Sequence, residues 1–202
     1  MAAVAVVVFS DFTCPFSYVT EAALRRMEDA GEIRITHVPF ELYPAPAPLP
    51  AGVEGGWEPA LRPLAEELGI ALRVPGVIGR TRKAHEAAAF AEQRGVGRAM
   101  REALFAAYFA EGRDVGRIDV VVEAGRAVGL DPTELKVVLD VDAMTAGVAG
   151  AQDAARRAGV ESVPTLLAGT GGGARVIVGA RPLAEWRAEI LGMAEQRKGL
   201  ED

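Results

Sequence analysis

The sequence predicts an α/β fold in which one small mixed sheet, flanked by helices, is interrupted by an inserted all-helical block. Three observations predict it. The first forty residues read strand, helix, strand. A long stretch in the middle carries helical patterning only. The C-terminal part returns to two short apolar runs around a glycine-rich turn, followed by a last helix.

Val4 to Phe9 is a continuous Val-rich run, the pattern of a strand buried on both faces. From Pro15 to Ala30, Tyr18, Ala22, Leu24 and Met27 recur near helical spacing, and Gly31 follows as a stop. Ile33 to Phe40 alternates as a second strand, and two strands joined through a helix imply a parallel βαβ unit. Between Tyr43 and Pro59 the prolines at 44, 46, 48, 50 and 59 mark an extended loop. The chain then reads as helical to about Leu139, with the apolar stripe Met100, Leu104, Phe105, Tyr108 and Phe109 ending at Gly112. Asp131-Pro132-Thr133-Glu134 combines a cap, a first-position proline and a glutamate three residues on, which starts a helix. Another helix is expected over Asp142 to Ala158, weakened by Gly147 and Gly150. Thr165–Leu167 and Val176–Val178 flank Gly169 to Gly173 as an antiparallel hairpin. Pro182 opens a final helix with Leu183, Trp186, Ile190, Leu191 and Met193 on or near one face. This order is the thioredoxin plan with an insertion: residues 1–44 and 143–202 form a discontinuous thioredoxin-like domain, and residues 45–142 form a helical domain with a proline-rich entry loop.

Composition narrows the function classes. With 202 residues, 50% hydrophobic and 25% charged, the chain is an ordinary globular one. A net charge of −6 with interspersed signs argues against a nucleic-acid partner, and no apolar run is long enough to cross a membrane. The N-terminal apolar run lacks a basic segment and is read as a strand, not a signal peptide. One cysteine excludes an internal disulfide, so a reducing cytoplasm is the expected location.

The strongest chemical feature is Cys14-Pro15-Phe16-Ser17, where the first strand gives way to the first helix. A thiol there faces unpaired N–H groups and the positive end of the helix dipole. The expectation is a partly exposed Cys14 with a lowered pKa. Ser17, one turn on, either hydrogen-bonds the Cys14 sulfur or satisfies a backbone group. Of the two histidines, His37 reads as a strand residue, while His85 follows the basic run Arg80-Thr81-Arg82-Lys83 on a helix. That run reads as a solvated helix face, with an anion site as the alternative. Two separated histidines and one cysteine lack zinc-site spacing, so no metal is expected. Gly169 to Gly173 leads into a strand and is a turn, not a phosphate loop. Trp57 and the proline-rich loop either cover a cleft or pack as a loop.

Cys-Pro-x-x at a helix start, a helical insertion, and Val163-Pro164-Thr165 before a hairpin together resemble the DsbA family of the thioredoxin superfamily. More narrowly they resemble its cytoplasmic FrnE-like branch. Pro39-Phe40, Ala103-Leu104-Phe105, Ala107-Tyr108-Phe109, Glu111-Gly112, Val128-Gly129-Leu130-Asp131 and Gly179-Ala180 before Pro182 carry the same likeness. The resemblance implies that Cys14 is the nucleophile, Pro164 the cis-proline facing it, and Ser17 part of the active-site turn. It also implies that Phe16 and Val163 contact substrate, and places the stretch containing His85 at the border of the cleft. Dithiol members carry a second cysteine where this chain has Ser17, so chemistry must pass through a mixed disulfide with a second molecule.

The resemblance thus implies a monothiol thiol-disulfide oxidoreductase acting on a peptide or small-molecule thiol or disulfide. No tightly bound cofactor is expected, with glutathione or another small thiol as cosubstrate. Two other readings stand beside it. A glutathione-dependent isomerase or kappa-type transferase shares the fold, but typically has Ser at the Cys14 position and an acidic residue where this chain reads Gly179-Ala180-Arg181-Pro182. A non-catalytic, thiol-trapping peptide-binding module is the third. The sequence leaves the oligomeric state open, a dimer included.

Overall fold

A computed structural model describes residues 3–53, 55–169 and 174–201, with the backbone alone described for 193–201. The strands are β1 (Val4–Ser10), β2 (Ile33–Pro39), β3 (Thr165–Ala168) and β4 (Arg175–Val178). The helices are α1 (Pro15–Asp29), α2 (Glu58–Glu67), α3 (Arg82–Gln93), α4 (Gly97–Phe109), α5 (Ile118–Ala127), α6 (Pro132–Asp140), α7 (Thr145–Arg157) and α8 (Leu183–Glu201). The sheet order is β2-β1-β3-β4, with β1 parallel to β2 and β3 antiparallel to both β1 and β4. This is the thioredoxin-like mixed sheet the element order predicts. No described helix is long and apolar enough to cross a membrane.

Alternation along the strands sorts the sheet's two faces. Val6, Val8, Leu166, Ala168 and Ile177 point to one core, shared with Val19, Ala23 and Leu24 of α1 and Trp186 and Ile190 of α8. Phe9 faces the other way, toward Phe40, Val160 and Ala155 of α7. The helical block builds its own core from α3 to α6, and that core reaches into the sheet half to take in Phe12 and Tyr18. Tyr18 stacks on Phe109 with ring centroids 5.1 Å apart, and Phe12 lies 5.0 Å from Phe105 and 4.8 Å from the His85 ring. Each such pair is worth about 0.5–1.5 kcal/mol beyond its buried area, so the cluster fixes the turn between β1 and α1 against the insertion.

Local chemistry accounts for most element ends. Gly31 closes α1 at φ +70°, a conformation that favours glycine. Asp131 Oδ1 accepts from Glu134 N at 2.8 Å with Pro132 in the first turn, as its sequence predicts for α6. α7 runs through Gly147 and Gly150 without interruption. The expectation of helix throughout 59–139 fails between α2 and α3, where residues 69–81 are irregular. Pro75, Gly76 and Gly79 lie in that stretch, and the Arg73 amide donates to Phe109 O instead of to a helical turn. The glycine-rich turn of the β3–β4 hairpin falls largely outside the described residues.

A buried polar network also ties the seam. Ser10 Oγ donates to Glu21 Oε1 at 2.6 Å, and His37 Nδ1 lies 3.2 Å from the same oxygen. Burial alone would raise the Glu21 pKa. The charge and hydrogen bond of His37, with Ser10 and Arg101, outweigh burial and bring it down to about 2. Because that value lies below the ordinary 4.5, the stabilisation is complete above about pH 4.5 and is lost as pH falls through about 2. Glu21→Gln is expected to cost about 1.5–3 kcal/mol at neutral pH. It should also flatten the stability loss across that acid window, read from denaturant midpoints at each pH. A variant with the wild-type acid slope would show that Glu21 is not the group responsible.

Candidate active site

Cys14 occupies the position the sequence assigns to it. It is the N-cap of α1, in extended conformation at φ −89° and ψ 114°, and Pro15 is the first helical residue. The sulfur takes the role a Ser or Asp oxygen usually has: the Ser17 amide donates to Cys14 Sγ at 3.4 Å. The thiol donates in turn to the Val163 carbonyl, also at 3.4 Å. Val163 and Pro164 are joined by a cis peptide bond, and Pro164 is buried. The Pro164 carbonyl accepts from Gly179 N, and Thr165 Oγ1 donates to Ser162 O at 2.7 Å, which hold this segment in place. Residues 149 positions apart in the chain therefore meet at one sulfur.

The expectation of an exposed, acidic thiol does not survive. Cys14 is 4% exposed, and burial pushes its pKa up to about 11. The Ser17 side chain and amide and the Phe16 amide pull it down, while the charge of Asp11 adds to the rise. The reason is one of magnitude. A helix N-terminus stabilises a charge by about 0.3–1 kcal/mol when exposed, up to about 2 in favourable geometry. Full burial shifts a pKa by up to about 3–5 units, at 1.36 kcal/mol each. At rest the group is a protected thiol.

Ser17 is buried, and its hydroxyl accepts from Asp11 N at 3.4 Å, satisfying a backbone group in the turn that carries Cys14. Phe16 is 36% exposed on the first turn of α1. Val163 is half-buried, and its carbonyl, which the resemblance offers to an incoming chain, is taken by Cys14. His85 is 5% exposed, points Nε2 at Asp11 Oδ2 from 3.8 Å inside the seam, and borders a cavity also lined by Ser10, Phe12 and His37. The basic run around it is neither a solvated face nor an anion site. Arg80 donates to the carbonyls of Tyr43 and Ala47, Arg82 pairs with buried Glu41, and Lys83 bonds Glu86, Asp142 and Leu139 O. These cations pin the insertion to the proline-rich loop and to its own end.

The residue that sequence reasoning missed is Asp11, 1% exposed beneath the Cys14 turn. Its Oδ1 accepts from the amide and hydroxyl of Thr13, both at 2.7 Å, and its Oδ2 from Leu42 N at 2.8 Å and Thr81 Oγ1 at 2.9 Å. Burial alone would raise its pKa; His85 and Thr13 outweigh that and hold it below the usual 3.8. The available signal was a carboxylate three residues before the cysteine, where an apolar strand ends.

Beside the turn lies a cavity of about 350 Å³ walled by Thr13, Pro15, Tyr43, Trp57, Tyr108 and Phe109. None of its described lining side chains carries a full charge, and its volume falls in the range of small-ligand sites. Trp57 stands edge-on to Phe109, and Arg80 ties the overlying loop at Tyr43 and Ala47. Trp57 and the loop thus border a cleft next to the thiol.

The raised thiol pKa has two measurable consequences. Alkylation of Cys14 should be slow at neutral pH, with its inflection near 11. Because the folded value exceeds the ordinary 9.0, the thiol's contribution to stability is complete below about pH 9 and is lost as pH rises toward 11. Cys14→Ser should remove that part of the alkaline loss when wild-type and variant midpoints are subtracted. A difference that stays constant from pH 8 to 11 would contradict the burial account.

The geometry has clear counterparts among known proteins. A family model described as DSBA-like thioredoxin domain matches residues 5–190. The uncharacterized protein YwbO of Bacillus subtilis is 30% identical over 173 residues, covering 80% of this chain and 85% of that protein. A probable DsbA oxidoreductase from Streptomyces coelicolor superposes with a TM-score of 0.80 at 23% identity, over 95% of this chain and 90% of that one. A 2-hydroxychromene-2-carboxylate isomerase gives 0.78 at 18%, over 97% and 98%. The cytosolic disulfide reductase DsbM of Pseudomonas aeruginosa gives 0.69 at 18%, over 95% and 99%. The structural likenesses, all below 25% identity, speak to the fold, while the match over residues 5–190 settles kinship: this chain belongs to the DSBA-like thioredoxin domain family.

Proposed function

We propose that the protein is a monothiol thiol-disulfide oxidoreductase working through Cys14. The observation that carries the reading is the sulfur itself: the chain's single thiol caps α1, faces the Val163–Pro164 peptide and stands beside an aromatic cavity. Cys14 thiolate attacks one sulfur of a substrate disulfide; a new S–S bond forms to Cys14, and the other substrate sulfur leaves as thiolate and takes up the proton. A small thiol then attacks the substrate sulfur of the mixed disulfide, regenerating Cys14 and leaving with the substrate half as a second mixed disulfide. Electrons balance through the small thiol, and glutathione suits that part. DsbM of Pseudomonas aeruginosa has been solved with GSH. Dependence on a pool of small thiols places the reaction in a reducing compartment, the cytoplasm.

A pKa of about 11 leaves about one thiol in ten thousand ionised at neutral pH. Reaction therefore begins when the Val163 carbonyl releases the thiol and the incoming disulfide takes its place. Phe16 offers an exposed apolar contact at that edge, and Ser17 keeps the turn in register through Asp11 N.

A second reading, a glutathione-dependent isomerase or transferase in which Cys14 undergoes no redox change, is favoured by the uncharged aromatic cavity, which suits a small planar substrate. Against it, the segment after β4 carries Arg181, paired with Glu189, and no acidic group before Glu185.

Turnover of a glutathione mixed disulfide with excess glutathione, followed by intact mass of the protein, separates these readings. The oxidoreductase reading expects catalytic release, a transient adduct on Cys14, and loss of activity to the uncatalysed rate in Cys14→Ser. Stoichiometric adduct without release would make the protein a trap. Isomerisation of a small substrate without any adduct would favour the second reading. Ser17→Cys provides an independent check of the turn. The Ser17 amide is 3.4 Å from the Cys14 sulfur, so the variant is expected to oxidise to an internal disulfide with no free thiol and to gain dithiol reductase activity. Two free thiols after oxidation would show that the turn does not bring positions 14 and 17 together.

A further inference from the structure

We propose that Asp11 and His85 form an acid–base pair across the seam that governs ionisation of Cys14, with His85 a positioning residue acting through Asp11. The inference rests on the reading of Cys14 as the reacting thiol.

The geometry is specific. Asp11 belongs to the thioredoxin-like half and His85 to the insertion, and they meet only because α3 lies against the turn between β1 and α1. Their separation, 3.8 Å from Nε2 to Oδ2, is an ion-pair distance and too long for a hydrogen bond. His85 Nε2 is buried and has no other polar partner among the described residues. A buried, unpartnered ring nitrogen aimed at a buried carboxylate is costly unless the two interact through charge. Asp11 in turn is continuous with the thiol: its carbonyl accepts from Cys14 N at 3.1 Å, and its charge opposes thiolate formation. With His85 protonated the pair is neutral and the thiolate is less opposed. With His85 neutral the full negative charge of Asp11 stands beneath the sulfur.

The surrounding charged groups are already engaged. On α3, Arg82 pairs with Glu41, and Glu86 bonds Lys83 and Thr145. On α4, burial, with the charge of Asp11 added, raises the pKa of the Tyr108 hydroxyl, which donates to Val77 O. Arg101 on α4 pairs with Glu92 at the end of α3. On α1 and β2, Glu21 is held by Ser10 and His37, which line the cavity that His85 also borders. His85 is thus the nearest cation-forming group to Asp11 that has no carboxylate of its own.

The test is the rate of Cys14 alkylation by iodoacetamide in the full chain between pH 5 and 11. The wild-type log rate should rise, pass through a flatter region where loss of the His85 proton offsets part of the gain in thiolate, and rise again. His85→Gln should lose the flat region and react about three- to fourfold more slowly below it per unit of coupling, since nucleophilicity falls partly in step with pKa. Asp11→Asn should react faster by a similar factor above the flat region. Thr81→Val removes a hydrogen bond to the same Asp11 oxygen without changing charge and should keep the flat region. Superimposable wild-type and His85→Gln profiles would overturn the proposal. So would a Thr81→Val profile that loses the flat region as His85→Gln does, since packing alone would then explain both. If Asp11→Asn does not fold, the His85 and Thr81 variants decide. Alkylation needs no turnover, so a flat region that disappears in His85→Gln, in a protein that turns over no disulfide, would sustain this inference and overturn the proposed activity alone.

Discussion

The buried carboxylate of Asp11 is the constraint from which the rest of the site follows. Four hydrogen-bond donors converge on it from three separate parts of the chain: the turn itself at Thr13, the exit of β2 at Leu42, and the start of α3 at Thr81. A carboxylate accepts in several directions at once, and hydrogen bonds to charged groups are worth about 1.5–3 kcal/mol each where neutral ones are worth about 1. One side chain thereby sets the position of Cys14, the start of the proline-rich loop and the docking of α3. The aromatic contacts of Phe12 and Tyr18 close the same seam from the apolar side.

The cost of that constraint falls on the sulfur. A thiol placed at a helix N-terminus is usually argued to be acidic, and the N-cap bond from Ser17 acts in that direction. Here the site is closed by Val163 on one side and underlain by negative charge on the other, and burial wins. The arrangement keeps a lone thiol inert until a partner opens it. That suits a protein whose single cysteine has no neighbouring thiol to rescue it from a dead-end adduct.

Much of the fold was legible in the sequence because its signals are local. Pro15 with Gly31 bounds α1, Asp131-Pro132 starts α6, and the Val-rich run of β1 announces a strand with both faces covered. The place of Cys14 at the start of α1 followed from the local pattern, whereas its encounter with the Val163–Pro164 segment followed from family resemblance, since a proline before an apolar run has no distinctive local pattern. The direction of the Cys14 shift was not legible, because desolvation depends on what covers the sulfur, and Val163 lies 149 residues away. The same holds for Asp11 and Glu21. Each reads as an ordinary acidic residue until partners 31 to 74 positions distant, or on the next strand, are brought beside it. The basic run before His85 was misjudged for a related reason: its partners are carbonyls and carboxylates of the proline-rich loop and the end of α6, which no helical wheel reveals.

On the proposed reading, Cys14 rests as a buried thiol and reacts by exchange with a disulfide. The Cβ carbon shift of selectively 13C-labelled Cys14 reads its chemical state directly. A thiol shift near pH 7, conversion to a disulfide shift on addition of glutathione disulfide, and full return on addition of glutathione are expected. A thiolate shift at neutral pH, or a resonance that stays unchanged through both additions, would contradict it.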